Sequence, residues 1–459
     1  MWLVIVGACG GSSATIDAPV AADAAVPPPD AAPTLSLRFD RTPGSVELDA
    51  IATLEGASTP VTLSADHGAL GATQPTATGG QAHLVPAGTG AYTITATAGA
   101  LTVSRVALVI GSVDEAWNQP EPVRGLANTP GWEDGPSISP DGSVLTFQYV
   151  AVSISCLLDM QVGGPACKIV GPVDAPARPR MPGASRVNAD GTYVNGCPSI
   201  GVPTLTNFVP PNSLYSLHRA PDGSFGDPHP IYYAGADGCI GAFGLQLTDD
   251  AGGAVYALDN PVTNGAGARV FLAHLDPTAD VVLGTFANVG GQLELDGHIG
   301  TMIGDPDGVQ GNPNLWTDLT GNAVVLFSDD ESGRQDLFFN DAAAATGPYA
   351  GQTLIPPPVS AAGVQESQPF FDGHTLYYRR DLVVLATDWN GAAMSDAASW
   401  TAPRTILAPG TGETDVGTVP VVGEPSVTTT APAKELYFVY GRRVADGTLD
   451  LDLAMVPAR

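Results

Sequence analysis

Three prolines, Pro313, Pro369 and Pro425, stand an even 56 residues apart, and each opens a turn that runs into an apolar, aromatic strand. Asn312-Pro313-Asn314 leads to Val324–Phe327, Gln368-Pro369-Phe370 to Leu376–Tyr378, and Glu424-Pro425-Ser426 to Leu436–Phe438. Gly135-Pro136-Ser137, leading to Val144–Phe147, is another copy. Phe243-Gly244-Leu245, leading to Ala254–Tyr256, is a copy that has lost its proline. A second strand is expected after each, at Leu214–His218, Val270–His274, Asp336–Phe339, Asp381–Leu385 and Leu449–Ala454. Three linking segments carry an aromatic-x-x-Pro: Trp117–Pro120, Phe225–Pro228 and Trp400–Pro403. A period of this size, holding about four strands, points to a β-propeller.

Five repeats can be counted, with six blades as the alternative. The last repeat ends at Met455-Val456 with no aromatic-x-x-Pro after it, and the first is preceded by a spare one at Trp117–Pro120. A ring closed by its own N-terminal strand accounts for both facts and removes an exposed sheet edge. Glu115–Val123 is therefore predicted to pair with Leu449–Pro457. The propeller is assigned to residues 114–459, with a Gly/Pro-rich insertion at 151–211 in its first blade.

The composition agrees with an all-β chain. Gly (55) and Pro (41) punctuate short Val/Thr/Leu/Tyr runs, and no amphipathic helical stretch of useful length occurs. Residues 34–113 hold six or seven short strands with apolar alternation, such as Leu35, Leu37 and Phe39, which suggests a sandwich. Net charge is −29 and only two lysines occur, Lys168 and Lys434. Phosphate neutralisation needs clustered Lys and Arg, so nucleic acid is excluded as a partner and anionic lipid is repelled. The acidity reads as a solvated surface, with divalent-cation binding as the sharper alternative.

Three stretches resemble known families. Ser137–Gly142, SISPDG, resembles the TolB-like and WD40-type propeller repeats of bacterial envelope proteins. There Pro-Asp-Gly forms a hairpin turn, as Pro sets φ and Gly accepts φ > 0. Pro140-Asp141-Gly142 is intact, whereas Phe371-Asp372-Gly373 and Leu319-Thr320-Gly321 are relics. PVTLSADHGALGA followed by GGQAHLVPAGTGAYTITATAG, within residues 34–113, resembles the Ig-like domains of invasin-type surface proteins. The resemblance implies a spacer or adhesion module. Val6-Gly7-Ala8-Cys9 resembles a lipobox, which implies acylation of Cys9 and an outer-membrane address. Only eight residues precede Cys9, none of them Lys or Arg, so the true start is expected upstream of Met1. Residues 10–33 are low-complexity and read as a disordered tether.

With Cys9 acylated, Cys156, Cys167, Cys197 and Cys239 remain. An oxidising envelope then implies two disulfides. Three connectivities exist, and Cys156–Cys167 with Cys197–Cys239 is the favoured one. Spacings of 11, 30 and 42 lack a close Cys pair, which argues against zinc.

No nucleophile elbow, zinc-protease helix, phosphate loop or dinucleotide fingerprint is present. The expected function is non-catalytic: a lipid-anchored envelope protein presenting a propeller face to a protein or glycan, with Tyr193 and Phe208 of the insertion shaping that face. The alternative is a glycoside hydrolase or lyase. Five-bladed propellers include such enzymes, with carboxylates from separate blades meeting in the channel. The candidates are Glu133, Asp134, Glu366 and Glu424, with Asp305 and Asp307 in a preceding loop. In TolB-like repeats, however, an acidic residue commonly precedes the proline without catalysis. Three acids converging in the channel with no neutralising Arg would mark the enzyme, and a channel plugged by apolar side chains would mark a structural stalk. Asp305-Pro-Asp307-Gly308 and Ser328–Gly333 could offer oxygens to Ca²⁺ but lack the spaced acidic loop, so no cofactor is expected. His67, His83, His218, His229, His274, His298 and His374 read as strand-end, turn and surface residues.

Overall fold

The structure is a computed structural model. It describes residues 32–156, 167–172, 186–187, 193–194, 214–230, 232–233, 242–247, 253–259, 262–263, 269–270, 279–289, 292–296, 302–303, 311–329, 334–343, 352–412, 414–445 and 447–459. These are nearly all β, and their arrangement is propeller-like.

Strict alternation builds the N-terminal part. Leu48, Ala50, Ala52 and Leu54 fall on one face of Leu48–Glu55, and Ile94, Ala96 and Ala98 on one face of Gly90–Ala98. One sheet joins Thr34–Arg41, Leu48–Glu55, Gly79–Val85, Ala69–Leu70 and Gln74–Thr76, and the other joins Thr62–Ala65, Gly90–Ala98 and Leu101–Val109. The apolar faces of both sheets meet in one core that includes Leu37, Phe39, Leu84 and Tyr92.

The remainder forms five larger, mainly antiparallel sheets among the described residues. The first is Trp132–Ile138, Val144–Val150, Leu214–Arg219 and Phe225–Pro230. The second begins Ala242–Leu247, Gly253–Asp259, Ala279–Val289, and the third runs Gly311–Thr317, Ala323–Asp329, Asp336–Ala342, Thr353–Leu354. The fourth is Glu366–Phe371, Thr375–Arg380, Val383–Asp388 and Arg404–Ala408, completed by Ser112–Val113. The fifth is Val421–Val427, Glu435–Arg443 and Leu449–Pro457, completed by Glu121–Pro122. The first strand of each sheet adjoins the first strand of the next, and the fifth returns to the first.

The predicted closing pair is present. Glu121 pairs with Met455 and Pro122 with Ala454, while Trp117 bridges Ala458. The Asn118 and Val123 amides donate to the carbonyls of Pro457 and Leu453. The hairpin turns also fall at Asp141-Gly142, Thr320-Gly321 and Asp372-Gly373, with all three glycines at positive φ. Asp141, Asp318 and Asp372 each accept backbone N–H groups of their own turn.

One strand is corrected. Val270–His274 is not the third strand of the second sheet. Arg269–Val270 makes a two-residue pairing with Val262–Thr263, and the eleven-residue run Ala279–Val289 takes the ladder along Gly253–Asp259. Only that longer run can satisfy the backbone groups of Gly253–Asp259 over its whole length. Ser112–Val113, read as the end of the N-terminal module, is the outermost strand of the fourth sheet.

The N-terminal module is docked rather than hung as a spacer. Arg41 donates to the carbonyls of Asp114 and Trp117, the Val419 amide donates to Thr89, and Leu108 and Ile110 enter the core between the fourth and fifth sheets.

The Cys156–Cys167 disulfide is formed, beside a small core of Trp132, Val150, Val152 and Ile154. Cys197 and Cys239 lie outside the described residues. A loop of sequence separation 11 closed in this way contributes about 3 kcal/mol. Cys167→Ser is expected to lower the melting temperature by several degrees. An unchanged melting curve under reducing conditions would contradict that role. Among the described residues no helix is long and apolar enough to cross a membrane.

Candidate functional site

The site begins with a backbone irregularity repeated five times. Each inner strand slips register at the same place: between Asp134 and Ser137, Phe243 and Gln246, Gly311 and Asn314, Ser367 and Phe370, and Gly423 and Ser426. In four of the five sheets the residue before the proline has positive φ: Gly135 (59°), Asn312 (47°), Gln368 (58°) and Glu424 (53°). Such a bulge wants glycine, and Asn tolerates it. Gln and Glu are strained there and persist only where neighbours hold them. The hold is mutual: Gln368 donates to the Glu424 carboxylate, the Glu424 amide donates back to Gln368 Oε1 (2.9 Å), and the Gly135 amide donates to Glu424 Oε2.

Polar side chains two residues after these positions stitch the sheets together. The Ile138 amide donates to Ser426 Oγ (3.1 Å), the Leu247 amide to Ser137 Oγ (2.8 Å) and the Phe371 amide to Asn314 Oδ1 (2.8 Å). Asn314 Nδ2 donates to Gln246. Every seam of the ring is thus crossed by a hydrogen bond, the one between fourth and fifth sheets through Gln368 and Glu424. The space these residues enclose on the axis is narrow, about 40 Å³, and is lined by the prolines and by Gln368, Glu424, Ser137 and Ser426.

Of the four predicted carboxylates, two meet. Asp134 and Glu424, half-buried, share a hydrogen bond across the seam between first and fifth sheets. Burial pushes both pKa values up, Glu424 furthest, because it also faces the Asp134 charge. Of the two, the raised pKa favours Glu424 as the proton donor in their shared hydrogen bond. Arg379 acts on both and favours their charged forms. The Gly135 amide also donates to Asp134 (3.1 Å).

Glu133 and Glu366 do not join them. They sit one residue earlier on their strands, so pleating turns them to the opposite face. Glu133 is fully buried and accepts from Thr129 Oγ1 (2.6 Å). Glu366 is fully buried against Arg380 (2.9 Å), and burial raises its pKa to about 7 despite that charge. Three converging acids free of Arg are therefore not formed by these four residues.

A broader cavity of about 470 Å³ opens on the same axis, shares Gln246 and Phe370 with the narrow space, and is reached past the hairpin turns. Trp316 and Phe371 line it, with Asn314, Thr317, Thr429 and Thr430 between them. The two rings pack edge-to-face at 5.3 Å. Asp372, on its rim, pairs with Lys434 at 2.6 Å. Trp316 and Asp372 were missed as site residues. The seam residues Ser137, Gln246, Asn314 and Ser426 were missed too, and for these the signal was available in the period itself, since they occupy one repeat position.

Tyr193 lies in the short strand Tyr193–Val194, paired with Arg186–Val187. Phe208, Asp305, Asp307, Cys9, His274 and His298 lie outside the described residues, as does most of the Ser328–Gly333 run. Several histidines have an acidic neighbour: His229 lies 3.1 Å from Asp227, His374 3.8 Å from Asp388, His83 3.0 Å from Asp49 and His67 2.7 Å from Asp66. Among the described residues no group of three His, Cys, Asp or Glu could hold a metal.

No family model matches the chain, and no curated protein does. Among solved structures it is similar to a protein of unknown function from Dyadobacter fermentans, at 10% identity and a TM-score of 0.36, covering 93% of this chain and 94% of that one. It is also similar to an α-L-arabinofuranosidase from Lactobacillus brevis, at 10% identity and a TM-score of 0.39, covering 73% and 92%. A third likeness is to the NanB sialidase of Streptococcus pneumoniae, at 8% identity and a TM-score of 0.33, covering 92% and 68%. With overlaps this low, nothing about the site follows from them.

Proposed function

We propose that the chain is a five-bladed propeller carrying an Ig-like N-terminal domain, and that its broad axial cavity binds a glycan. The lining carries this reading. The partly exposed indole of Trp316 offers an apolar surface to the C–H side of a sugar ring, and amide and hydroxyl groups beside it can meet its hydroxyls. The volume suits one or two sugar units, and the narrow space lined by Glu424 and Gln368 adjoins the cavity through Gln246 and Phe370. A thermal-shift screen of the full chain against oligosaccharides tests it, since a ligand of the native state raises the melting temperature. One member of the panel is expected to shift the wild type and to lose its effect in Trp316→Ala. No shift with any oligosaccharide would sink the reading.

Hydrolysis is the second reading, favoured by one observation: Glu424 lines the narrow axial space where burial and the facing Asp134 charge raise its pKa, the direction a general acid requires. Its hydrogen-bonded partner Asp134 is nearer than the roughly 5–9.5 Å that separates hydrolytic carboxylate pairs, so the base would be another group. Sugar release from the bound oligosaccharide, abolished in Glu424→Gln, would establish it. Binding without release would leave the protein a receptor.

We also propose an envelope address, with Cys9 lipidated and residues 10–33 as tether. The Val-Gly-Ala-Cys tetrad followed at once by a low-complexity segment supports it. Expressed from its native gene, the protein should partition with membranes, and Cys9→Ser should release it. Equal partitioning of the two would refute the anchor.

A further inference from the structure

Resting on that glycan reading, we propose that the broad axial cavity selects an uncharged glycan unit and that Asp372 orients its hydroxyl groups. Asp372 belongs to a degenerate Asp-Gly hairpin turn. Its Oδ1 accepts the backbone amides of His374 (3.0 Å) and Thr375 (2.7 Å), and its Oδ2 accepts Lys434 Nζ (2.6 Å). The carboxylate is therefore fixed from three directions, with its side chain only 11% exposed. Each carboxylate oxygen can take more than one hydrogen bond, so the carboxylate keeps acceptor capacity beyond these three. A charged acceptor of this kind makes the stronger class of hydrogen bond to a hydroxyl.

The next residue seats the aromatic platform. Gly373 has φ +93°, and a Cβ there would stand 2.5 Å from Trp316 Nε1. The Asp-Gly step thus supplies a fixed acceptor and, beside it, room for the indole. Acceptor and ring line the same cavity, the arrangement that a sugar with one apolar face and a rim of hydroxyls requires.

Charge decides the class. Asp372 is the one ionisable residue among the described residues lining the cavity, and none of the others is Arg or Lys. Lys434, which pairs with Asp372, is not among the lining residues and lies 5.3 Å over the Tyr377 ring. A uronate or sialate would bring its carboxylate toward Asp372, in a chain of net charge −29. A neutral unit meets no such opposition.

Calorimetric titration of the full chain tests this with cello-, xylo-, arabino-, galacto- and chitotriose, and with trigalacturonate and sialyllactose. Galactotriose and trigalacturonate differ in little but the C6 carboxylate. A neutral trisaccharide should bind and the anionic ones should not. Asp372→Asn should weaken the neutral ligand about tenfold and admit the anionic ones. Because Asp372 also holds its turn, Lys434→Gln serves as a second variant that leaves the carboxylate in place: neutral affinity should persist and anionic binding stay absent. An anionic trisaccharide bound by the wild type as tightly as its neutral counterpart would overturn the selectivity and leave the glycan reading standing. Neutral affinity unchanged in a folded Asp372→Asn would overturn the role of Asp372. Binding of none of the trisaccharides would remove the glycan reading itself, and the inference with it.

Discussion

The melting temperature is expected to fall by roughly 5–10 °C between pH 5 and pH 8. Its cause is a set of buried carboxyl groups whose pKa values the fold raises. Burial raises Glu366 from 4.5 to about 7 and Asp452 from 3.8 to about 7, and it raises Glu121, Asp134, Glu424 and Asp450 as well. Unfolding returns each to its ordinary value. Between about pH 4 and 7 the native state then binds more protons than the unfolded state, so stability falls as pH rises. The contribution is fully present below the unfolded values and is lost as pH climbs through the folded ones. Each unit is worth about 1.4 kcal/mol, which sets a ceiling of about 3 kcal/mol for Glu366 alone. Self-repulsion from a net charge of −29 acts in the same direction but is screened by salt, whereas the buried groups are not. Calorimetry at pH 5, 6, 7 and 8 in high salt isolates the buried term. Glu366→Gln should flatten the slope, and a melting temperature that rises across this range would refute the account.

What the sequence showed, and what it hid, follows from how each feature is encoded. The period was legible because every repeat needs a bulge at one point, and Pro136, Pro313, Pro369 and Pro425 mark it. Ring closure was legible from the orphan Trp117–Pro120 segment. The second sheet was misread because its strand spacing departs from the others, and Val270 resembles the start of a strand it does not form. The four carboxylates could not be sorted by composition. Glu133 and Asp134 are adjacent in sequence, yet pleating sends one into the sheet interior and the other to the seam with Glu424. The broad cavity was hidden for a related reason. Trp316 and Asp372 come from different sheets, and only the docking of third on fourth brings Gly373 under the indole.

The second large effect concerns how the N-terminal module and the ring hold together. Arg105, on the last strand of the module, grips Glu121 on the closing strand in bidentate fashion, Nε to Oε2 at 2.9 Å and Nη2 to Oε1 at 2.7 Å. Its third nitrogen, Nη1, donates to the Leu37 carbonyl at 2.7 Å. Glu121 is 7% exposed and pairs with Met455 of the last strand, so one guanidinium ties module, closing strand and C-terminus. The wild type is therefore expected to unfold in one transition. Arg105→Ala strands a carboxylate in a buried site, at a cost of about 3–5 kcal/mol. Adding Glu121→Gln should recover part of that loss, because a neutral amide needs no counter-charge. Arg105→Ala alone should also lose less at pH 5 than at pH 8, since burial already raises the Glu121 pKa and protonation relieves the stranded charge. If the double variant is as unstable as the sum of the two single ones at every pH, the guanidinium acts by packing against Phe39, 5.9 Å away, and not by pairing.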